Sequence, residues 1–92
     1  MQIQGYAFTP NEVAIMRQHQ QRYAEIRHLA ESLRINKRSE YGRVHFEGEL
    51  TTPEAKQLTE LDLALIADYG NLCFGGSCKI RGDRFVGSYS TD

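Results

Sequence analysis

The chain has no tryptophan, and only two prolines, two cysteines and two methionines in 92 residues. Its longest strictly apolar run is Leu63–Ala67. That is far short of the roughly 20 residues a membrane-crossing helix needs. The opening MQIQGYAFTP has neither the basic start nor the apolar stretch of a secretory signal, so a cytosolic location is expected. Cys73 and Cys78 are then expected to be reduced thiols. They stand as Cys-x4-Cys with no second ligand pair, and no His/Cys/Asp set shows close metal-ligand spacing, so no metal is expected. There is no phosphate loop, no Gly-x-Gly-x-x-Gly and no nucleophile elbow. A chain this short cannot build both a full core and a deep substrate cleft. Together these absences argue against an enzyme, a cofactor or a small-molecule substrate, and for a protein that binds a larger partner through its surface.

What is present suits one folded domain, residues 1–92. The chain is 40% hydrophobic and 25% charged, proportions of a globular domain rather than a disordered one. A net charge of −1 hides an asymmetry. Residues 1–46 carry seven Lys/Arg against four acids, and residues 47–92 carry four against eight. Such a chain is neither an all-basic nucleic-acid binder nor an all-acidic nucleic-acid mimic. It can present a basic patch to phosphate or acidic protein.

Two helix starts are written alike. Thr9-Pro10-Asn11-Glu12 is a capping box with proline at the first helical position. Thr52-Pro53-Glu54 repeats the cap and the proline. The first helix is expected from about Pro10 to about Ile35, with Ile15, Ile26, Leu29, Ala30 and Leu33 on one face. At such a length one end projects past the core. Asn36–Gly42 reads as a polar, basic loop, and Arg43–Glu47 as a half-buried strand with Val44 and Phe46 inward. The second helix is expected from about Pro53 to Tyr69, with Leu58, Leu61, Leu65 and Tyr69 as its main stripe and Gly70 ending it. Leu72–Phe74 and Met1–Phe8 are further strand candidates. Ser77–Arg81 and Arg84–Tyr89 flank Gly82-Asp83 as a hairpin, which accounts for the Arg81-Gly82-Asp83 triplet without any adhesion role. A two-residue loop sets Arg81 opposite Arg84, Ile80 opposite Phe85 and Lys79 opposite Val86. The sum is an α+β fold: a small antiparallel sheet with two helices packed on one face, the first helix long.

The arginines carry the functional signal. Arg27 and Arg34 fall seven apart on one edge of the expected helix, Arg38 continues that line, and Lys37 joins it at the helix end. A solvated helix edge that relieves the C-terminal dipole is one reading of these cations. A contact with phosphate or acidic protein is the other. Lys79, Arg81 and Arg84 gather on one hairpin face, where like charges repel. A sheet that carries that cost is expected to use it. Five Tyr and four Phe add the residue types that interfaces favour.

Taken whole, and especially in its opening MQIQGYAFTPNEVAIMRQHQQRYAEIRHLAESL, the chain resembles phage-encoded anti-CRISPR proteins of the group acting on type I-F systems. No motif defines such proteins. The resemblance implies an inhibitor working in the bacterial host's cytoplasm. It would bind the multi-subunit, guide-RNA-loaded surveillance (Cascade/Csy) complex and block target DNA binding or nuclease recruitment. Some of these inhibitors are acidic DNA mimics, and the near-neutral balance here departs from that version. It favours wedging among Cas subunits, with the basic edge on the guide-RNA backbone. The candidate contact residues come from the arrangement of the cations alone: Arg27, Arg34, Lys37, Arg38, Lys79, Arg81 and Arg84. A small nucleic-acid-binding regulator is the alternative.

Overall fold

The computed structural model describes residues 8–70 and 76–90. Helix α1 spans Pro10–Ile26 and opens on the expected capping box: the Glu12 amide donates to Thr9 Oγ1 at 3.2 Å, and the Thr9 amide to Glu12 Oε1 at 2.9 Å. Those bonds hold the Glu12 carboxyl below its usual range. Only Ile26 in α1 is buried. The helix meets the core at its C-terminal end.

α1 stops nine residues before the expected Ile35. Two single 3₁₀ turns, Arg27–Leu29 and Glu31–Leu33, replace its last turns, and Arg34 reverses the chain at φ 50°. A 3₁₀ turn brings residues i and i+3 to the same side, and Ile26, Leu29 and Leu33 are all buried. The Ser32 hydroxyl donates to the Leu29 carbonyl at 2.8 Å, the local competition that ends helices. Ile15, expected inward, is 45% exposed.

Asn36–Gly42 is not a loop. Asn36–Glu40 forms strand β1, which Tyr41-Gly42 joins to β2, Arg43–Glu49. Both turn residues have positive φ, 51° and 75°, the pattern of a type I′ hairpin turn. All five β1 residues are exposed, so NKRSE lacks the alternation that would reveal a strand. The second helix also differs. Thr52 caps only a 3₁₀ turn, Ala55–Gln57, accepting from the Ala55 amide at 3.0 Å. Leu58 is extended, and α2 runs over Glu60–Ala67 from its own capping box at Thr59 and Asp62. This break lets Ala55 and Leu58 both reach the core. Of the expected stripe, Leu61 and Tyr69 are 52% and 69% exposed.

Strands β3, Ser77–Arg81, and β4, Arg84–Ser90, form the expected hairpin with the expected register, Ile80 opposite Phe85 and Arg81 opposite Arg84. The sheet is antiparallel in the order β1-β2-β4-β3. One face is covered by the helical layer. Val44 and Phe46 of β2 and Phe85 and Tyr89 of β4 meet Ile26, Leu29, Leu33, Leu63, Ile66 and Ala67 there. Across β2 and β4 each phenylalanine faces a glycine: Phe46 is paired with Gly87, and Phe85 with Gly48. A β-carbon on Gly48 would lie 2.5 Å from the Phe85 ring, and one on Gly87 2.4 Å from the Phe46 ring. The strand candidates Met1–Phe8 and Leu72–Phe74 lie outside the described residues, apart from Phe8, which is irregular. Among the described residues no helix is long and apolar enough to cross a membrane.

Candidate partner-binding surface

The second face of the sheet is left open by the helices. Because side chains alternate along a strand, the register lays this face out in four cross-strand rows. Glu40, Arg43 and Ser90 form the first, nearest Tyr41. Arg38, His45, Ser88 and Ser77 form the second; Asn36, Glu47, Val86 and Lys79 the third; Glu49, Arg84 and Arg81 the fourth. None of these residues is buried, and Val86 is 42% exposed.

Charge on the face is uneven. The β1–β2 half mixes Arg38, Arg43 and His45 with Glu40, Glu47 and Glu49. Some of these engage one another: the Arg43 Nε donates to Ser88 Oγ at 3.2 Å, and His45 Nε2 lies 4.0 Å from Glu40 Oε1. The β3–β4 half carries Lys79, Arg81 and Arg84 with serine hydroxyls and no carboxylate on its open side. Among the described residues, no ion pair engages these three cations. A shallow depression of about 270 Å³ lies between the halves, with Arg38, His45, Glu47 and Val86 in its wall.

The structure brings together four of the seven candidate residues: Arg38, Lys79, Arg81 and Arg84. The Arg27–Arg34–Arg38 edge does not exist. It required one continuous helix, and the helix ends at Ile26. Arg27 and Arg34 belong to the helical layer, and Arg38 projects from the opposite side of the sheet. Arg34 instead borders a groove of about 480 Å³ floored by Ala30, Ile35 and Ile66.

Lys37, though exposed, points to the other side of the sheet. As the β1 partner of Phe46 it sits on the helix-facing side, and its ammonium donates to the Ala67 carbonyl at the end of α2. It also lies 3.9 Å from the centroid of the Tyr69 ring. This lysine neutralises the negative end of α2 and satisfies a carbonyl the helix leaves open. Lys37→Met is therefore expected to lower stability by about 1–2 kcal/mol in a denaturant titration, and to leave partner affinity within about twofold.

Cys78 is a free thiol on the inner side of β3. Burial, and secondarily the Glu60 carboxylate, push it up to about 11. It is a poor nucleophile there. Alkylation at pH 8, followed by mass spectrometry of the Cys78 peptide, is expected to run roughly 100-fold slower in the native protein than in urea. Among the described residues no group of three or more His, Cys, Asp or Glu gathers as metal ligands would.

Arg43, His45 and Ser88 share the open face with the four candidates. The strand expected at Arg43–Glu47 already sets Arg43 and His45 on the side away from Val44 and Phe46; reading 36–42 as a loop hid the strand that lays Arg38 beside His45. The signal available was Tyr41-Gly42 between Glu40 and Arg43, a two-residue turn flanked by opposite charges. Comparison with family models, curated proteins and solved structures gives no match to the chain.

Proposed function

We propose that the protein is a stoichiometric inhibitor that docks the open face of its sheet onto a guide-RNA-loaded type I-F surveillance complex in the host cytoplasm and blocks target DNA binding. The observation that carries the docking surface is the β3–β4 half of that face: three cations that no ion pair engages among the described residues, on the face of the sheet the helices leave open. Its groups are donors of the kind that meet phosphate oxygens and acidic side chains. The target itself rests on the resemblance of the whole chain.

The alternative, a regulator that binds bare nucleic acid, is less well served. Single-strand readers on sheets stack bases on aromatic rings. Here Phe46, Phe85 and Tyr89 all face the core, and the open rows hold no ring but His45. Tyr41, fully exposed, stands at the turn rather than on the face.

The test is co-purification with the surveillance complex together with measurement of the complex's affinity for target DNA. Wild-type protein is expected to associate and to abolish DNA binding. The triple variant Lys79→Glu/Arg81→Glu/Arg84→Glu is expected to fold and to lose about 100-fold in affinity for the complex. Undiminished binding by that variant removes this face as the site. No association by the wild type removes the inhibitor reading. Tight, steeply salt-dependent binding to bare RNA transfers support to the regulator.

A further inference from the structure

We infer that the open face of the sheet is self-complementary and pairs two copies of the chain, face to face, about a two-fold axis that lies across the strands. Such an axis keeps each strand over its own counterpart and reverses the order of the four rows. The first row then meets the fourth, and the second meets the third.

Read out on β2, this places Arg43 over the partner's Glu49, and His45 over the partner's Glu47. The symmetry repeats each contact, giving two Arg–Glu charge contacts and, between them, two in which the His45 ring meets a partner carboxylate as a hydrogen-bond donor. On β1, Arg38 meets the partner's Asn36. On β4, Arg84 meets the partner's Ser90, and Val86 meets the partner's Ser88. On β3, Lys79 meets the partner's Ser77. No like charges are superposed anywhere in the overlap, although the face carries five cations and three carboxylates among these rows. An axis along the strands also gives two Arg–Glu contacts, Glu49 over the partner's Arg84 and its repeat, but it sets the Glu47 carboxylate on the partner's Val86 and leaves it without a polar partner. The observed sequence of charges on β2, Arg43-x-His45-x-Glu47-x-Glu49, is what makes the crosswise arrangement the better match. The basic half of a strand inverts onto its acidic half.

The size of the face sets the strength. Four strands of five to seven residues at about 4.8 Å spacing span roughly 20 by 20 Å. With side-chain relief this buries about 1,200 Å² in total, the lower limit for a specific interface. The contacts are polar and sheets pack aligned at about −30°, so the dimer is weak, reversible and salt-sensitive. Resting on the function proposed above, it follows that the dimer hides the partner-binding face and that the monomer is the inhibitory form.

Sedimentation velocity on the purified protein alone, from about 10 µM to 1 mM, tests the pairing apart from any CRISPR partner. The wild type is expected to dimerise with rising concentration in low salt and to dissociate in about 0.5 M NaCl. Arg43→Glu and Glu49→Arg are each expected to shift the midpoint at least about tenfold towards monomer, since each opposes like charges. The double variant Arg43→Glu/Glu49→Arg is expected to restore it. Circular dichroism melts identify any variant that merely unfolds, and the pair His45→Glu/Glu47→Lys then makes the same test one row inward. A wild type monomeric throughout overturns the inference. So does a double variant no better than its singles, or a rescue seen only with Arg84→Glu/Glu49→Arg, which places the axis along the strands. Such a failure leaves the proposed inhibitor untouched, because the pull-down measures a different partner.

Discussion

Replacing Asp62 by alanine is expected to lower the free energy of unfolding by about 3 kcal/mol, a large fraction of the roughly 5–14 kcal/mol a domain of this size possesses. Asp62 is buried and has two tasks. It closes the capping box of α2, its Oδ2 accepting from the Thr59 amide at 3.0 Å. It also accepts two bonds from the Arg22 guanidinium, Nε to Oδ1 at 2.9 Å and Nη2 to Oδ2 at 3.0 Å. This fork is the polar tie between α1 and α2. Arg22→Ala strands the carboxylate in the interior and is expected to cost about as much. Arg22→Ala/Asp62→Ala is then expected to cost clearly less than the sum. Urea titrations of the four proteins give the cycle.

The same pair sets an acid limit. The Arg22 bonds, joined by those from Thr59, hold the Asp62 carboxyl below its usual range, and Asp62 in turn raises Arg22. A carboxyl with a depressed folded value binds its proton more weakly in the native state than in the unfolded one. Its contribution is therefore complete above the unfolded value, about 3.9, and is lost as pH falls through the lower folded one. Stability of the wild type is expected to decline below about pH 4. Asp62→Asn is expected to flatten that decline and to be less stable at neutral pH. An unchanged acid slope would assign the pH dependence to other carboxyls.

Phe85→Ala is the second large effect, about 4 kcal/mol. Phe85 is fully buried and tilted against Phe46 with ring centroids 6.3 Å apart. Its ring lies over Gly48, which has no side chain to fill the space if the ring is removed. The discriminating experiment is the second substitution. Gly48→Ala alone is expected to destabilise by about 2–3 kcal/mol, because its methyl collides with the ring and with the Leu33 carbonyl, 2.7 Å away. In the Phe85→Ala background the collision with the ring is gone and only that with the Leu33 carbonyl remains, so the same methyl is expected to cost clearly less than it does in the wild type. Simple additivity in thermal melts would show that the two sites do not share one volume.

Legibility followed the range of the interaction. The α1 cap was readable because Thr9, Pro10 and Glu12 act on each other within one turn. The β3–β4 hairpin was readable to the residue because a two-residue loop fixes register. The α2 start was misplaced because Thr52-Pro53 is a louder local signal than Thr59 with aspartate at the third position. Strand β1 was missed since an edge strand with every residue exposed has no hydrophobic period. The Arg22–Asp62 fork spans 40 residues and leaves no local trace, and the helix-facing placement of Lys37 depends on β1 existing at all. The Lys79–Arg81–Arg84 half of the surface came with the hairpin. Arg43 came with the expected strand at Arg43–Glu47, while the place of Arg38 beside it depends on β1.

The diagonal of Phe46 over Gly87 and Gly48 over Phe85 also acts as an alignment key during assembly. Sliding β2 against β4 by two residues preserves every side chain's face, so hydrophobic alternation cannot detect the error. In one direction the slide sets Phe46 on Phe85. In the other it sets Gly48 on Gly87 and Phe46 on Tyr89. The first crowds two rings into one space; the second opens a hole beside a collision. Only the native alignment gives each ring a bare strand to lie on, so the central pairing rejects the two misfolds that composition alone would allow.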